Sequence, residues 1–158
     1  MFRIGFGNDI HRLAAGRLLM IGGVLVESEH GADGHSDADV LLHAITDAIL
    51  GALALGDIGT HFPNSDPQWK GIASSVFLSK AAESAKCHGY LVANVDTTIS
   101  LERPKLRSYI DEMRVNIANL LEIDIGCVSV KAKTGENVDS VGKSEAIRAE
   151  AVVLLTSG

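Results

Sequence analysis

Asp9 and His11 stand two residues apart in a glycine-punctuated stretch, Gly5-Phe6-Gly7-Asn8-Asp9-Ile10-His11. In an extended chain that spacing puts both side chains on one side. His43 follows in a segment that reads as helix. One carboxylate and two imidazoles form a three-ligand set of the kind catalytic zinc uses, with a fourth position left open. The same residues also suit ordinary roles, since a histidine in a helix is commonly a satisfied core or surface group. His35-Ser36 and the stripe Asp39, His43, Asp47, at i, i+4 and i+8, add polar chemistry nearby. His30, His61 and His88 fall in two loops and at a helix end, without such company. Further on, Lys131 and Lys133 share one face of a strand leading to Thr134 and Glu136. Such lysines are either solvated or placed for a phosphate. Glu136 could hold a harder cation such as Mg²⁺ against that phosphate.

Something must position these groups, and the chain has the means. Its 158 residues suit one domain, residues 1–158, with a real core. A net charge of −6 weighs against a nucleic-acid surface. No apolar run reaches membrane-spanning length; Ala44 to Leu55 is broken by Thr46, Asp47 and Gly51. Met1 to Gly5 carries no signal-peptide pattern, and Cys87 and Cys127 have no CxxC partner, so a reduced, cytoplasmic setting is expected.

Phe2 to His11 reads as a strand entering a loop. Leu18 to Ile21 and Val24 to Val26 flank Gly22-Gly23, a hairpin signal. Glu27 to Gly34 is polar and glycine-bearing, hence loop. Ser36 with Asp39 three residues on resembles a capping box, which starts a helix over about 37–55 ended by Gly56. Gly56 to Pro67 has turn chemistry throughout. Helices over about 74–88 and 104–122, the second opened by Pro104, alternate with strands over 90–101 and 127–133. A loop from Thr134 to Glu145 precedes a last strand over 146–156. The order β-β-β-α-α-β-α-β-β, with hairpins as well as crossovers, predicts an α+β fold. Its mixed β-sheet has helices packed on one face, as in a ferredoxin-like sandwich.

The sheet's second face needs a cover. Arg148, Glu150, Val152 and Leu154 share one side of the last strand, and Asn94, Asp96, Thr98 and Ser100 one side of the 90–101 strand. Neither pattern is apolar-in and charged-out, which points to partial burial by another copy of the chain. Two tempting motifs fail. Gly5-x-Gly7-x-x-Ile10 lacks the third glycine of a dinucleotide fingerprint, and a hairpin follows it instead of a helix. Gly142-Lys143-Ser144 lacks the earlier glycine of a phosphate loop, where Asn137 stands, and a strand follows it.

A wider resemblance covers nearly the whole chain. Its motifs are Ile4 to His11, Gly34 to Ala48, Gly56-Asp57-Ile58-Gly59, Phe62 to Pro67, Arg103-Pro104-Lys105 and Val130 to Glu136. In that order the sequence resembles the family of 2-C-methyl-D-erythritol 2,4-cyclodiphosphate synthases, enzymes of the non-mevalonate isoprenoid pathway. The resemblance implies a CDP-linked methylerythritol 2-phosphate as substrate. Its 2-phosphate attacks the β-phosphorus, closes a cyclic diphosphate and expels CMP.

By the same resemblance, Asp9, His11 and His43 bind one Zn²⁺ per chain, replaceable by another divalent cation, and Glu136 holds Mg²⁺ or Mn²⁺. His35 and Ser36 meet the substrate phosphates, with His35 and Thr134 stabilising the transition state. Asp57, Ile58, Gly59, Phe62 and Asp66 hold the methylerythritol part, and Leu101, Lys105, Leu106, Ala132, Lys133 and Thr134 the cytidine. Asp47, one turn beyond His43, is expected to orient that ligand. The resemblance also implies a homotrimer with sheets lining its centre and active sites between subunits. A plastid stroma would replace the cytoplasm if a transit peptide had been removed.

Departures from the common pattern include Asn8, Asn64, Leu106 and Arg107. The largest lies at Asn137 to Ser144. Ser140 stands where many members have Phe, and Lys143 where many have Arg. In those members the pair helps bind an isoprenoid diphosphate in the central cavity; here Lys143 and Glu150 are left to form a charged ring. A metal-dependent phosphoesterase and a non-catalytic nucleotide- or metal-binding module are the competing readings.

Overall fold

The computed structural model describes residues 1–34, 36–63, 65–69 and 71–158. In chain order the strands begin with β1 (Phe2–Ala15), β2 (Leu19–Ile21), β3 (Val24–Val26) and β4 (His30–Asp33). Helices α1 (Val40–Ala52), α2 (Ile58–His61) and α3 (Ser74–Cys87) follow, then β5 (Tyr90–Ser100) and α4 (Ile110–Leu121). The chain closes with β6 (Val128–Lys133), the short α5 (Asp139–Gly142) and β7 (Ala146–Ser157). Five strands form one sheet in the order β4-β1-β7-β5-β6, while β2 and β3 make a separate hairpin. Only β5 and β6 run parallel; the other neighbours are antiparallel. The result is the mixed-sheet α+β architecture read from the sequence.

α1 lies directly against β1 and β7, with α3 over β5 and α4 over β6. Close approach of α1 depends on two glycines. A Cβ on Gly5 would stand 1.7 Å from the Ala48 carbonyl oxygen, and one on Gly7 2.1 Å from that of Ala44. The Gly5-x-Gly7 spacing is therefore a packing device. On the helix side the core is dense: Leu41, Ile45, Ile49, Ile99, Met113, Ile117 and Ile147 are all fully buried. On the other side Phe2 and Ile4 remain over 70% exposed, at 71% and 73%, and Phe6 and Val152 share that open face.

Local departures from the sequence reading have local causes. β1 runs four residues past His11, because Arg12 to Ala15 pair with β4. That strand was expected to be loop; it has four residues, two of them polar and exposed, and no alternating pattern. α1 starts at Val40 instead of 37, since Ala38 takes a φ of +55° and interrupts the helix. Asp39, not Ser36, is its N-cap. The Asp39 carboxylate accepts from Leu41 and Leu42 N–H and, at 2.9 and 2.7 Å, from Gly22 and Gly23 N–H of the β2–β3 turn. Burial pushes its pKa up, against those backbone donors. α4 begins at Ile110, six residues later than expected, after a single 3₁₀ turn at Arg107–Tyr109. The predicted loops at 56–67 and 134–145 contain α2 and α5. Among the described residues no helix is long and apolar enough to cross a membrane.

Candidate active site

β1 and α1 bring the first cluster together. Asp9 and His11 sit on the helix-facing side of β1, in line with Gly5 and Gly7, and α1 presents His43 to them. Asp9 Oδ2 lies 3.0 Å from His11 Nε2 and 2.9 Å from His43 Nδ1, and the two ring nitrogens are 3.3 Å apart. The three donor atoms form a nearly equilateral triangle. Ligands about 2.0–2.1 Å from a tetrahedral Zn²⁺ stand roughly 3.3 Å from one another. The residues present therefore fit such an ion, and all three are half-buried.

The electrostatics agree with that arrangement. Burial would raise the Asp9 carboxyl, but hydrogen bonds and charge from His11 and His43 hold it well below the usual range. Burial would lower His11, yet its hydrogen bond to Asp9, the Asp9 charge and the Asp33 backbone raise it above its ordinary value.

Behind His43 lies a set of groups that the sequence reading passed over in part. Ser74 Oγ, on the first residue of α3, is 2.8 Å from His43 Nε2, and Ser36 Oγ is 3.2 Å away. Ser74 in turn donates its hydroxyl to Asp37, and its backbone N–H also reaches that carboxylate. Asp47 does not fill the orienting role expected of it. Both nitrogens of His43 have other partners, and Asp47 Oδ1 accepts from Ile58 N–H at 2.7 Å. It ties the 57–59 turn to the helix that carries His43. Burial raises the Asp47 pKa, partly offset by that amide.

Asp57 caps α2 and accepts from Thr60 N–H and Oγ–H, both at 2.8 Å. Those hydrogen bonds lower its pKa. Phe62 is buried in an aromatic group with Phe77 and Trp69, at ring separations of 4.7 and 5.2 Å, and the Phe77 ring lies 6.0 Å from that of His43. Asp66 accepts from Gln68 N–H and its side-chain amide. His35 and Asn64 lie outside the described residues.

At the far edge of the sheet a cavity of about 410 Å³ is lined by Leu101, Lys105, Leu106, Ala132, Lys133 and Thr134, together with Pro104, Arg107 and Lys131. These include all six residues expected to meet cytidine. Leu101 and Leu106 form an apolar wall, with Lys105 and Lys133 around it. Lys131 also pairs with Asp96 at 2.6 Å on the open sheet face. Thr134 donates its hydroxyl to Glu136 at 2.5 Å. Gly135 N–H is anchored on Glu102, a contact no motif announced.

Within one chain the two regions are far apart. At the level of Ile10 the sheet runs Ile10, Arg148, Ser100, Lys133 across four strands. Three strand spacings come to about 14 Å. Among the described residues, Glu136 is not part of the Asp9–His11–His43 cluster. Of the central-cavity group, Ser140 lines a cavity with Ile10, His11 and Arg12, Lys143 another with Glu29, His30 and Lys105, and Glu150 is exposed on the open face of β7.

An α+β fold that holds a carboxylate and two imidazoles ready for a divalent cation, with a phosphate-suited cavity at the sheet edge, defines a metal-dependent enzyme. Known proteins narrow the class. The YgbB family model matches residues 2–156. The 2-C-methyl-D-erythritol 2,4-cyclodiphosphate synthase of Solibacter usitatus is 56% identical over 153 residues, 97% of this chain and 96% of that protein. A solved 2C-methyl-D-erythritol-2,4-cyclodiphosphate synthase superposes with a TM-score of 0.91 at 40% identity, over 98% of this chain and all of that one. The Plasmodium falciparum IspF, solved as a CDP complex, gives 0.87 at 35% identity, over 99% and 96% of the two chains. The chain belongs to the YgbB family.

Proposed function

We propose that this chain converts 4-diphosphocytidyl-2-C-methyl-D-erythritol 2-phosphate to 2-C-methyl-D-erythritol 2,4-cyclodiphosphate and CMP. The observation that carries this reading is the Asp9–His11–His43 cluster, set for a cation in a chain of this family. In the reaction an oxygen of the 2-phosphate forms a bond to the β-phosphorus, and the bond from that phosphorus to the bridging oxygen breaks. CMP leaves with the electron pair. The nucleophile is already an anion, so no strong base is required; the barrier is repulsion between phosphates.

Zn²⁺ at Asp9, His11 and His43, and Mg²⁺ or Mn²⁺ at Glu136, would supply the positive charge that offsets this repulsion. Thr134 donates a hydroxyl toward the phosphates once Glu136 is otherwise engaged, and His35 and Ser36 bind the phosphate side. The 57–59 turn, Phe62 and Asp66 seat the methylerythritol part against the aromatic group. Leu101, Leu106 and Ala132 take the cytosine ring, with Lys105 and Lys133 near its phosphates. Residues 1–158 act as one catalytic domain, in the cytoplasm.

The active unit is a homotrimer, with sites between subunits. Two observations support this. The open sheet face carries Phe2, Ile4, Phe6 and Val152 uncovered, and such a patch marks an association surface. The roughly 14 Å between the cation cluster and the cytidine cavity exceeds the span of one diphosphate, so a neighbour must supply the second half. In that assembly Ser140, Lys143 and Glu150 lie toward the central cavity.

Incubating the purified chain with the CDP-linked 2-phosphate and resolving products by ³¹P NMR tests the reading. Equimolar CMP and the cyclic diphosphate are expected. A linear hydrolysis product would favour a phosphoesterase, and no turnover a binding module.

A further inference from the structure

We propose that Ser74, oriented by Asp37, is a positioning residue that accepts the Nε2–H of His43 and so leaves Nδ1 as the nitrogen offered to a cation beside Asp9 and His11. The proposal rests on the reading of Asp9, His11 and His43 as cation ligands.

A neutral imidazole has one N–H and one bare nitrogen, and which is which depends on the partner of the far nitrogen. Nδ1 of His43 faces Asp9 Oδ2 at 2.9 Å, and Nε2 faces Ser74 Oγ at 2.8 Å. A hydroxyl has a single hydrogen, whereas an ionised carboxylate only accepts. Ser74 Oγ is in hydrogen-bond contact with Asp37 Oδ1, so its one hydrogen goes to Asp37. Were it turned toward His43, lone pairs of Ser74 and Asp37 would face each other. Ser74 can therefore only accept from His43, which puts a proton on Nε2 and leaves Nδ1 as the nitrogen a cation can take over from its contact with Asp9.

The surroundings hold this relay in place. Ser74 is fully buried. Its backbone N–H donates to both oxygens of Asp37 at 3.2 Å, so main chain and side chain grip the same carboxylate. Asp37 also accepts from Asp39 N–H at 3.3 Å, which ties it to the residue that caps α1. Phe77, one turn further along α3, lays its ring 6.0 Å from His43 and limits rotation of the imidazole. Ser36 Oγ is the more distant partner, 3.2 Å from Nε2; since the Ser74 hydrogen goes to Asp37, the Ser36 hydroxyl can donate to Ser74 Oγ at 3.3 Å.

The test uses the full-length chain, zinc titration against a chelator, and long-range ¹H–¹⁵N spectra of the histidine rings with zinc bound and removed. Wild type binds one zinc per chain, and zinc-bound His43 shows an Nε2–H protected from solvent exchange. Ser74→Ala keeps that stoichiometry while its zinc affinity falls about 10–100-fold, and the Nε2–H of the zinc-bound ring loses its protection. Ser74→Thr, which keeps the hydroxyl, retains both properties. Asp37→Asn can return a hydrogen to Ser74, and it weakens binding with the same loss of Nε2–H protection; it carries the test should Ser74→Ala fold poorly. Zinc affinity and ring spectra unchanged in Ser74→Ala and Asp37→Asn would overturn the proposal alone. Wild type taking up no zinc would overturn the cation reading, and this one with it.

Discussion

His43 Nδ1 lies 2.9 Å from Asp9 Oδ2 although 34 residues separate them in the chain. The contact exists because α1 rests on β1 with backbone against backbone at Gly5 and Gly7. Asp39 completes the placement by gripping the first turn of α1 and the diglycine turn of the β2–β3 hairpin together.

Gly7→Ala should separate the two. Its Cβ would stand 2.1 Å from the Ala44 carbonyl oxygen and 2.6 Å from Ala48 N, both backbone atoms that cannot turn aside. A loss of about 1–3 kcal/mol is expected from such overpacking, read by denaturant unfolding. Zinc uptake should fall with it. Wild-type zinc affinity in a folded Gly7→Ala protein would show that α1 does not need this close approach.

The zinc-free chain should lose stability as pH rises through the neutral range. His11 is raised above its ordinary value of 6.5 by Asp9, against burial. A raised folded pKa binds the proton more tightly than the unfolded chain does. The resulting stabilisation is complete below about pH 6.5 and vanishes above the folded pKa. Urea midpoints across pH 6–9 should show this decline, and Asp9→Asn should flatten it. An NMR titration of His11 with its midpoint at or below 6.5 would contradict the assignment.

Asp47→Ala should leave the zinc cluster intact. Its carboxylate accepts from Ile58 N–H and does not reach His43 nitrogen. The variant should lose about 1–2 kcal/mol of stability from the missing charged hydrogen bond. KM should rise while zinc stoichiometry stays at one per chain. Loss of zinc from Asp47→Ala would restore the orienting role expected from its helical spacing.

Two inactive variants should complement each other. His43→Ala should lose zinc, and Glu136→Ala should lose the second cation while keeping zinc. If the halves of each site come from different chains, refolding the two variants together regenerates intact sites, and activity returns to a fraction of wild type. Either variant refolded alone stays inactive. No recovery in mixtures that light scattering shows to be trimers would place both halves in one chain.

The chain's sequence revealed the parts of the site that obey short-range rules. Two residues of spacing in a strand put Asp9 and His11 on one face, and Gly22-Gly23 marked the hairpin. The residues named for cytidine line one cavity because they flank the ends of two paired strands, β5 and β6. What sequence did not reveal depends on tertiary packing. Ser74 lies 37 residues from Asp37, and nothing in either neighbourhood announces the contact. Asp47 has the helical spacing of a histidine partner, but the returning chain offers Ile58 N–H first. β4 is too short to carry a period, and Asp39 outcompetes Ser36 as cap because Ala38 breaks the helix between them.

With Zn²⁺ and Mg²⁺ present, the CDP-linked methylerythritol 2-phosphate should yield CMP and 2-C-methyl-D-erythritol 2,4-cyclodiphosphate in equal amounts, with no incorporation of oxygen from ¹⁸O-labelled water. CMP release accompanied by an open-chain phosphate carrying ¹⁸O would contradict it, since water and not the 2-phosphate would then be the nucleophile.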